Sequence, residues 1–274
     1  MNYNYFCIVL ICFGFNLNSQ TTSIPDVNFE QALIDQGLDD VIDGSVLTSN
    51  INSITSLGVG SKNISDLTGI EDFTALVSLH CDDNNLTTLD LTGNINLTQV
   101  YCIFNNLTSL DVSACTALTK ITATDNNLIS LNTTTNTALK ILYVDRNSLG
   151  SLNVSTNTEL LDFYCSDNQL GILDVSANTK LKRFSCFENN LTSLDVTTNN
   201  ALVLLVCYSN NLSSLNLKNG ANPSIFPFFF NIQSNPNLTC VEVDDPVYST
   251  QNWGNIDPGV TFNTECNNCN CGSD

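Results

Sequence analysis

Positive charge is what this sequence has least of. Only 8 of its 274 residues are Lys or Arg, against 27 Asp or Glu, for a formal net charge of −19. A surface that negative repels phosphate backbones and anionic lipid, which argues against nucleic-acid binding and electrostatic membrane binding. There is one His, so His-rich zinc sites and H-E-x-x-H proteases, which need two imidazoles, are excluded. Charged residues are scarce at 13%, yet hydrophobic ones reach 42%. That is too apolar for a disordered chain and too polar for a multi-span membrane protein. What the chain has in excess is Leu, at 36 residues, and Asn, at 41.

The longest apolar run lies at the start. Residues 5–15 read Tyr-Phe-Cys-Ile-Val-Leu-Ile-Cys-Phe-Gly-Phe. Such a run is too short to span a bilayer and suits the core of a signal peptide, with cleavage expected near Ser19 or Gln20. The basic flank usual in such segments is missing, since the first Lys is Lys62. A buried N-terminal strand is the alternative. No later stretch is apolar enough to anchor the chain, so no membrane insertion is expected after cleavage.

The dominant signal is a repeat of 21 residues. Asn recurs at Asn84, Asn105, Asn126, Asn147, Asn168, Asn189 and Asn210. Leu recurs in register at 86 to 212, at 89 to 215 and at 76 to 202. Each unit reads L-x-x-Φ-x-C/A/V-x-x-N-x-L-x-x-L-[DN]-Φ, with Φ mostly apolar and Thr133 an exception. Leu76, Leu79 and Cys81 have the spacing of a strand entry followed by period-2 alternation, which points them inward and Ser78, His80 and Asp82 outward. Leu89 and Leu91 would line the opposite wall. The connection is too short for a regular helix, so turns or 3₁₀ segments are expected. A single coil cannot bury its own apolar edge; stacking coils does so, pairing parallel strands at ~4.8 Å.

The Asn column has a chemical reason. At a tight bend after each strand, backbone groups turn inward and lose their ladder partners. A side-chain amide, with two donors and an acceptor, can satisfy groups in its own coil and the next. The same repeat places Asn85, Asn106, Asn190 and Asn211 in N-L-[TS] sequons, which are therefore weak evidence for glycosylation.

These residues resemble leucine-rich repeats, whose pattern is L-x-x-L-x-C-x-x-N-N-L-x-x-L-D-[VL]-S/T. The segment Ile24-Pro-Asp-Val-Asn-Phe-Glu-Gln-Ala-Leu, followed by Asn63-Ile-Ser-Asp-Leu-Thr-Gly-Ile-Glu, is similar to the N-terminal cap and first repeat of internalin-like proteins. The whole looks like the secreted leucine-rich-repeat proteins of Bacteroidetes. The resemblance covers roughly residues 21–266. It implies a mostly β, right-handed solenoid and a surface-binding role.

The domain organisation expected is a signal peptide (1–20), an N-terminal helical cap (21–53), leucine-rich repeats (54–222), a Pro/Phe-rich insertion (223–237), a last repeat with C-terminal cap (238–266) and a Cys-containing tail (267–274). In the cap, Asp26 to Gln36 reads as an amphipathic helix, with Ser23-x-x-Asp26 as a capping box and Gly37 ending it. Val27, Phe29, Ala32 and Leu33 would face the core. The insertion follows from Leu202 and Leu238 lying 36 residues apart. Its run Phe226 to Phe230 is either a loop folded over the last coils or an exposed docking patch. Leu238, Val241 and Val243 form a last strand, and Trp253 and Phe262 plug the end.

The cysteines divide. Cys81, Cys102, Cys165, Cys186 and Cys207 share an inward column with Ala123 and Val144. That substitution pattern asks for small apolar volume, so buried packing thiols are expected rather than metal ligands. Cys240 and Cys266 flank the C-terminal cap and suit a disulfide in an exported protein. Cys269 and Cys271 are open to several pairings, and Cys115 stands alone in a loop.

Among functions, catalysis has little support. Ser78, His80 and Asp82 sit on one strand face, but same-face residues lie ~6.6–7 Å apart, beyond the ~2.6–3.2 Å that proton transfer needs. Asp90, Asp111, Asp174 and Asp195 interchange with Asn132, Asn153 and Asn216, which suits a turn acceptor better than an acid–base pair. The acidic surface of Asp82, Asp83, Asp125, Asp145, Asp167 and Glu188 has no D-x-D-x-D-G calcium loop, so no cofactor or metal is expected. Two classes remain. One is a non-enzymatic secreted or cell-surface module that binds a protein or a glycan. The other is a passive spacer of the envelope or matrix. A spacer needs only small polar residues on its outward strand positions. This chain places Tyr101, Ile103, Phe104, Tyr143, Tyr164, Phe187 and Tyr208 there, the kind of anchor that interfaces use. Lys120, Lys140, Lys182 and Arg183 near the strand starts give that wall a mixed-sign margin.

Overall fold

The computed structural model describes residues 20–266; the apolar run at 5–15 and the tail cysteines Cys269 and Cys271 lie outside the described residues. The chain opens with β1 (Thr21–Ser23), α1 (Val27–Asp35), β2 (Ser45–Leu47) and α2 (Thr48–Ile51), with β1 and β2 antiparallel. Then come β3 (Ser56–Gly58), β4 (Ser78–His80), β5 (Gln99–Tyr101), β6 (Lys120–Thr122), β7 (Ile141–Tyr143), β8 (Asp162–Tyr164) and β9 (Arg183–Ser185). The C-terminal part holds β10 (Ser193–Asp195), β11 (Leu204–Val206), β12 (Ser214–Leu217), β13 (Phe230–Asn231), β14 (Cys240–Val243), α3 (Pro246–Asn252) and β15 (Thr261–Asn263).

The strands β3 to β9, β11 and β13 form one nine-stranded sheet, each pairing in parallel with the strand one coil away. The middle residue of each strand, from Leu57 through Phe163 and Phe184 to Phe230, is fully buried. Burying one such side chain contributes about 1.5–3 kcal/mol. On the opposite wall the second apolar run (Leu89, Leu91 and their equivalents) is buried in every coil. Only toward the C-terminus does it become a sheet, in the order β10-β12-β14-β15. Between the walls the chain turns through i+3 to i bonds, such as Asn94 N–H to Leu91 O and Leu97 N–H to Asn94 O, each 3.0 Å.

Two expectations about the ends are corrected. At the N-terminus the helix is capped by Asp26, whose Oδ1 accepts from Asn28 and Phe29 N–H, while Ser23 belongs to β1. The other Asp26 oxygen accepts from Ser65 and Asp66. Burial raises the Asp26 pKa, but these hydrogen bonds outweigh it and hold it below the usual value. Val27, at the first helical position, is 54% exposed, while Glu30 is buried. One Glu30 oxygen accepts the N–H groups of Asp43, Gly44 and Ser45 at 2.7–3.0 Å. Its burial is offset by the three donors that a tight loop aims at it.

At the C-terminus, residues 223–237 are not outside the array. They supply β13, which pairs with β11, and Asn235, which bonds as the ladder Asn residues do. Leu205 pairs with Phe230, so this coil is only four residues longer than the period. Leu238 stands in the column of Leu212 rather than Leu202, since Leu217 pairs with Val243. Leucine fills both columns, so spacing alone could not choose between them; strand pairing does. Beyond β14, Trp253 is buried against Phe230 and Phe262.

Candidate functional site

The strand wall is the surface that the sequence singled out, and the Asn ladder is what shapes its far edge. Each ladder Asn donates through its amide nitrogen to carbonyls of its own and the preceding coil. Asn168 Nδ2 reaches Val144 O, Cys165 O and Ser166 O at 3.0–3.2 Å, and its Oδ1 accepts from Leu149 N–H at 2.9 Å. Asn84, Asn105, Asn126, Asn147, Asn189 and Asn210 repeat this scheme. The residue before each Asn is left-handed. These are Asp83, Phe104, Asp125, Arg146, Asp167, Glu188, Ser209 and Ser234, with φ between 50° and 57°. Phe104 therefore lies on this turn and not on the strand face where the sequence reading put it. A phenylalanine at φ 53° is a costly choice, and the residue is 56% exposed.

The other wall aromatics are brought together in pairs. His80 stacks on Tyr101 at 4.1 Å between ring centroids, Tyr143 on Tyr164 at 4.6 Å and Phe187 on Tyr208 at 4.5 Å, with planes within 12° of parallel. These separations match the strand spacing of ~4.8 Å, so the rings stand side by side like books. Their faces look along the solenoid axis and their edges look outward. Lys120 Nζ lies 4.5 Å from the Tyr101 centroid, on a neighbouring coil. All six aromatics are half-buried. Ile103 is half-buried beside them, just past the end of β5. The stacking was missed from sequence, though its signal was present: Tyr143 and Tyr164, and Phe187 and Tyr208, are one period apart.

Burial raises the pKa of Tyr143 and Tyr164. Next to this pair, Arg183 forms a bidentate bridge to buried Asp162.

Of the outward acidic residues, Asp82, Asp125 and Asp145 are committed to structure. Asp82 Oδ1 accepts from Ile103 N–H and Asp145 Oδ1 from Ser166 N–H, each at 2.9 Å. Asp125 takes both arms of Arg146 at 2.5 and 2.6 Å. Desolvation raises the Asp145 pKa despite its hydrogen bonds. Asp90, Asp111, Asp174, Asp195, Asn132, Asn153 and Asn216 each accept from the N–H two residues on, as turn residues do. Among the described residues there is no cluster of three or more His, Cys, Asp or Glu that could hold a metal ion.

One geometric argument from the sequence fails. Ser78 Oγ and His80 Nε2 are 3.1 Å apart, because the long imidazole leans along the strand to reach the hydroxyl. Spacing between backbone positions underestimated side-chain reach. Asp82 does not complete a triad; its Oδ1 is on Ile103, and one face of the imidazole lies against Tyr101.

Cys81, Cys102, Cys165, Cys186 and Cys207 are fully buried and free. Burial pushes their thiols up, Cys102 and Cys207 to about 12. Cys240 and Cys266 form a disulfide. Cys115 is also fully buried, which its reading as a solitary loop cysteine did not anticipate.

No protein-family model matches the sequence. A stretch of 50 residues, 18% of the chain, is 42% identical to internalin J of Listeria monocytogenes serotype 4b (strain F2365) and spans 6% of that protein. The solved functional domain of InlJ from Listeria monocytogenes, described as including a cysteine ladder, superposes with a TM-score of 0.72 at 33% identity. That match covers 82% of this chain and 52% of that one, so this chain spans about half the length of that neighbour. An internalin C2 from Listeria monocytogenes strain 4b F2365 superposes with a TM-score of 0.52 at 16% identity, over 88% of this chain and 98% of that one. A leucine-rich-repeat protein of Leptospira interrogans gives 0.57 at 18% identity, over 77% and 66%. At those identities the likeness is one of fold. The chain is a leucine-rich-repeat solenoid of stacked parallel strands in coils of about 21 residues, and internalin-like leucine-rich-repeat proteins are its neighbours in sequence and structure.

Proposed function

We propose that this chain is a secreted or cell-surface, non-enzymatic adhesion module that binds a protein partner through its strand wall. The carrying observation is the set of three stacked aromatic pairs, held at fixed spacing by parallel strands, with Phe104 projecting at the turn edge. A preorganised surface loses little entropy on binding. Stacking also favours a protein over a glycan. Sugars dock flat on ring faces, but Tyr101 has one face against His80 and Lys120 packed on its ring. At Tyr101 the ring edge and hydroxyl are what remain, and these suit side chains of a protein partner. Export is supported by the apolar run at 5–15 and by the Cys240–Cys266 bond, since disulfides persist in oxidising compartments. Helix α1 would act as the cap of the first coil, since Phe29 stacks with Phe73 in the core.

Screening the chain on protein and glycan arrays, beside a Tyr101→Ala/Tyr143→Ala variant, tests this reading. Protein hits should weaken by more than about tenfold in the variant. Each lost stack costs only about 0.5–1.5 kcal/mol of stability, so the fold should survive. Ile172→Ala, at an 83% exposed residue away from this wall, should change neither. Unchanged affinity for every hit in the double variant would remove the wall as the site and leave the spacer reading.

A further inference from the structure

The expected insertion hides a second surface, at the end of the stack remote from α1. A ladder of backbone hydrogen bonds sets Lys140, Leu161, Lys182, Val203 and Phe226 side by side at the strand starts. Directly after it, a 3₁₀ turn at Pro227–Phe229 holds Phe228 87% and Phe229 42% exposed, with Phe226 at 59%. These rings are in edge contact with one another, Phe226 with Phe229 at 6.1 Å and Phe228 with Phe229 at 5.5 Å. Buried Phe230, paired in β13, anchors the turn. The sequence reading left the run either folded over or exposed; it divides, with Phe230 inside and the other three outside. Beside them lies an open recess of about 300 Å³ lined by Leu161, Asp162, Lys182, Arg183 and Val203. Lys62, Arg146, Lys180 and Arg183 all have carboxylate partners. Among the described residues Lys120, Lys140, Lys182 and Lys218 have none, and Lys182 stands two strands from Phe226 in the ladder. Lys182 thus sets a free cation near exposed aromatics in a chain of net charge −19.

The opposite end carries the complementary chemistry. Between α1 and β2 the loop Leu38-Asp39-Asp40-Val41-Ile42-Asp43 exposes Val41 at 52% and Ile42 at 48%, among three carboxylates. One Asp39 oxygen is enclosed without a hydrogen-bond partner. β3 and β13 are the two edges of the nine-stranded sheet. At ~4.8 Å per strand, they are roughly 38 Å apart. The two surfaces therefore cannot meet within one molecule.

We infer that the Asp39–Asp43 loop of one copy docks on the Phe226–Phe229 and Lys182 surface of a second copy, so that chains associate head to tail. Val41 and Ile42 cover the exposed phenylalanines while Asp40 meets Lys182. Because the two patches differ, the contact is heterologous, giving a ring where the rotation between copies closes and an open chain where it does not. The occupant is a second copy because the same chain carries both halves of the contact, an acidic loop with exposed Val41 and Ile42 and a lysine-bordered aromatic patch.

Sedimentation velocity of the chain, from about 1 µM to about 1 mM, tests this directly. The expected result is an average mass that rises with concentration. Phe228→Ser, and separately Val41→Ser, should each shift the association about tenfold to higher concentration. Both sites are exposed, so folding should be intact by circular dichroism. Lys182→Glu should weaken association, as should Asp40→Lys, and mixing the two single variants should restore it. Tyr101→Ala/Tyr143→Ala should leave self-association unchanged, which separates this contact from the strand wall. A monomer at every concentration overturns the inference. So does association indifferent to Phe228, Val41 and the charge reversals, or Phe228-dependent binding to phosphatidylcholine vesicles without self-association.

Discussion

Two asparagine ladders run along this solenoid, and they do different work. The first, after the large sheet, uses the whole amide. Asn168 accepts from Leu149 N–H and donates to three carbonyls. The second lies in the turns entering each strand and comprises Asn94, Asn136, Asn157, Asn178 and Asn199. Asn178 donates to Val154 O and Asn157 O at 3.0 and 2.8 Å. The amide oxygens of Asn94, Asn136, Asn178 and Asn199 are buried with no partner. Only Asn157 differs, its oxygen accepting from Thr133 Oγ1, which accounts for the polar exception in an apolar column. The first ladder thus needs an acceptor and donors together. The second needs donors alone, so another donor can stand in. Cys115 does so, its Sγ–H reaching Leu91 O at 3.6 Å and Asn94 O at 3.5 Å. The full-amide column is unbroken in the seven regular coils, and the donor-only column is not.

The severest test of both ladders is a frame shift. Deleting eleven residues within 118–138 would put both columns out of step and unfold the array, whereas deleting all of 118–138 moves them together and should leave a shorter folded protein. Circular dichroism decides, and equal unfolding of the two would sink the idea of independent coils. Next, Asn168→Ala should cost about 2–4 kcal/mol in urea melts, since it leaves Leu149 N–H and buried carbonyls unpaired. Asn178→Ala should cost about 1–2 kcal/mol, because it removes donors and also an unsatisfied oxygen. Equal losses would mean that the distinction between the ladders has no energetic content. Cys115→Asn completes the second column and should gain up to about 1 kcal/mol; a loss would show that the column is tuned by volume.

Smallest is Asp145→Asn. Its burial-raised pKa means that the folded state prefers the protonated form. The carboxylate therefore costs stability once pH exceeds the ordinary value of 3.8, and an amide oxygen can still accept from Ser166 N–H. The variant should melt higher than wild type at pH 7, with the difference vanishing at and below about pH 3.8. A gain that persists in acid would refute the desolvation account.

Much of this was legible beforehand because a repeat multiplies a weak signal. One Asn means little, but seven in register require a periodic cause. The second ladder was equally periodic yet went unread, since Cys115 interrupts it and its positions lie past the last leucine of the motif. The outward aromatics were found, but not their pairing. Phe104 was placed on the wrong surface because the strand face was extended three residues past β5, into a left-handed turn. The C-terminal coil was misaligned for a related reason: Leu238 fits either leucine column until a strand partner is specified.

The sequence by itself determined the coil, its period, the inward and outward faces of each strand, and the demand for small volume in the cysteine column. These are set by spacing along the chain, which short-range geometry converts directly into direction. Only the tertiary structure decided what adjacent coils do to one another. Ring stacking, the hold of Asp162 on Arg183, the acceptors for each amide and the register of the last coil are contacts across about 21 residues or more. Each depends on distances of a few ångströms between side chains whose reach exceeds the strand spacing, and sequence periodicity does not specify where such side chains come to rest.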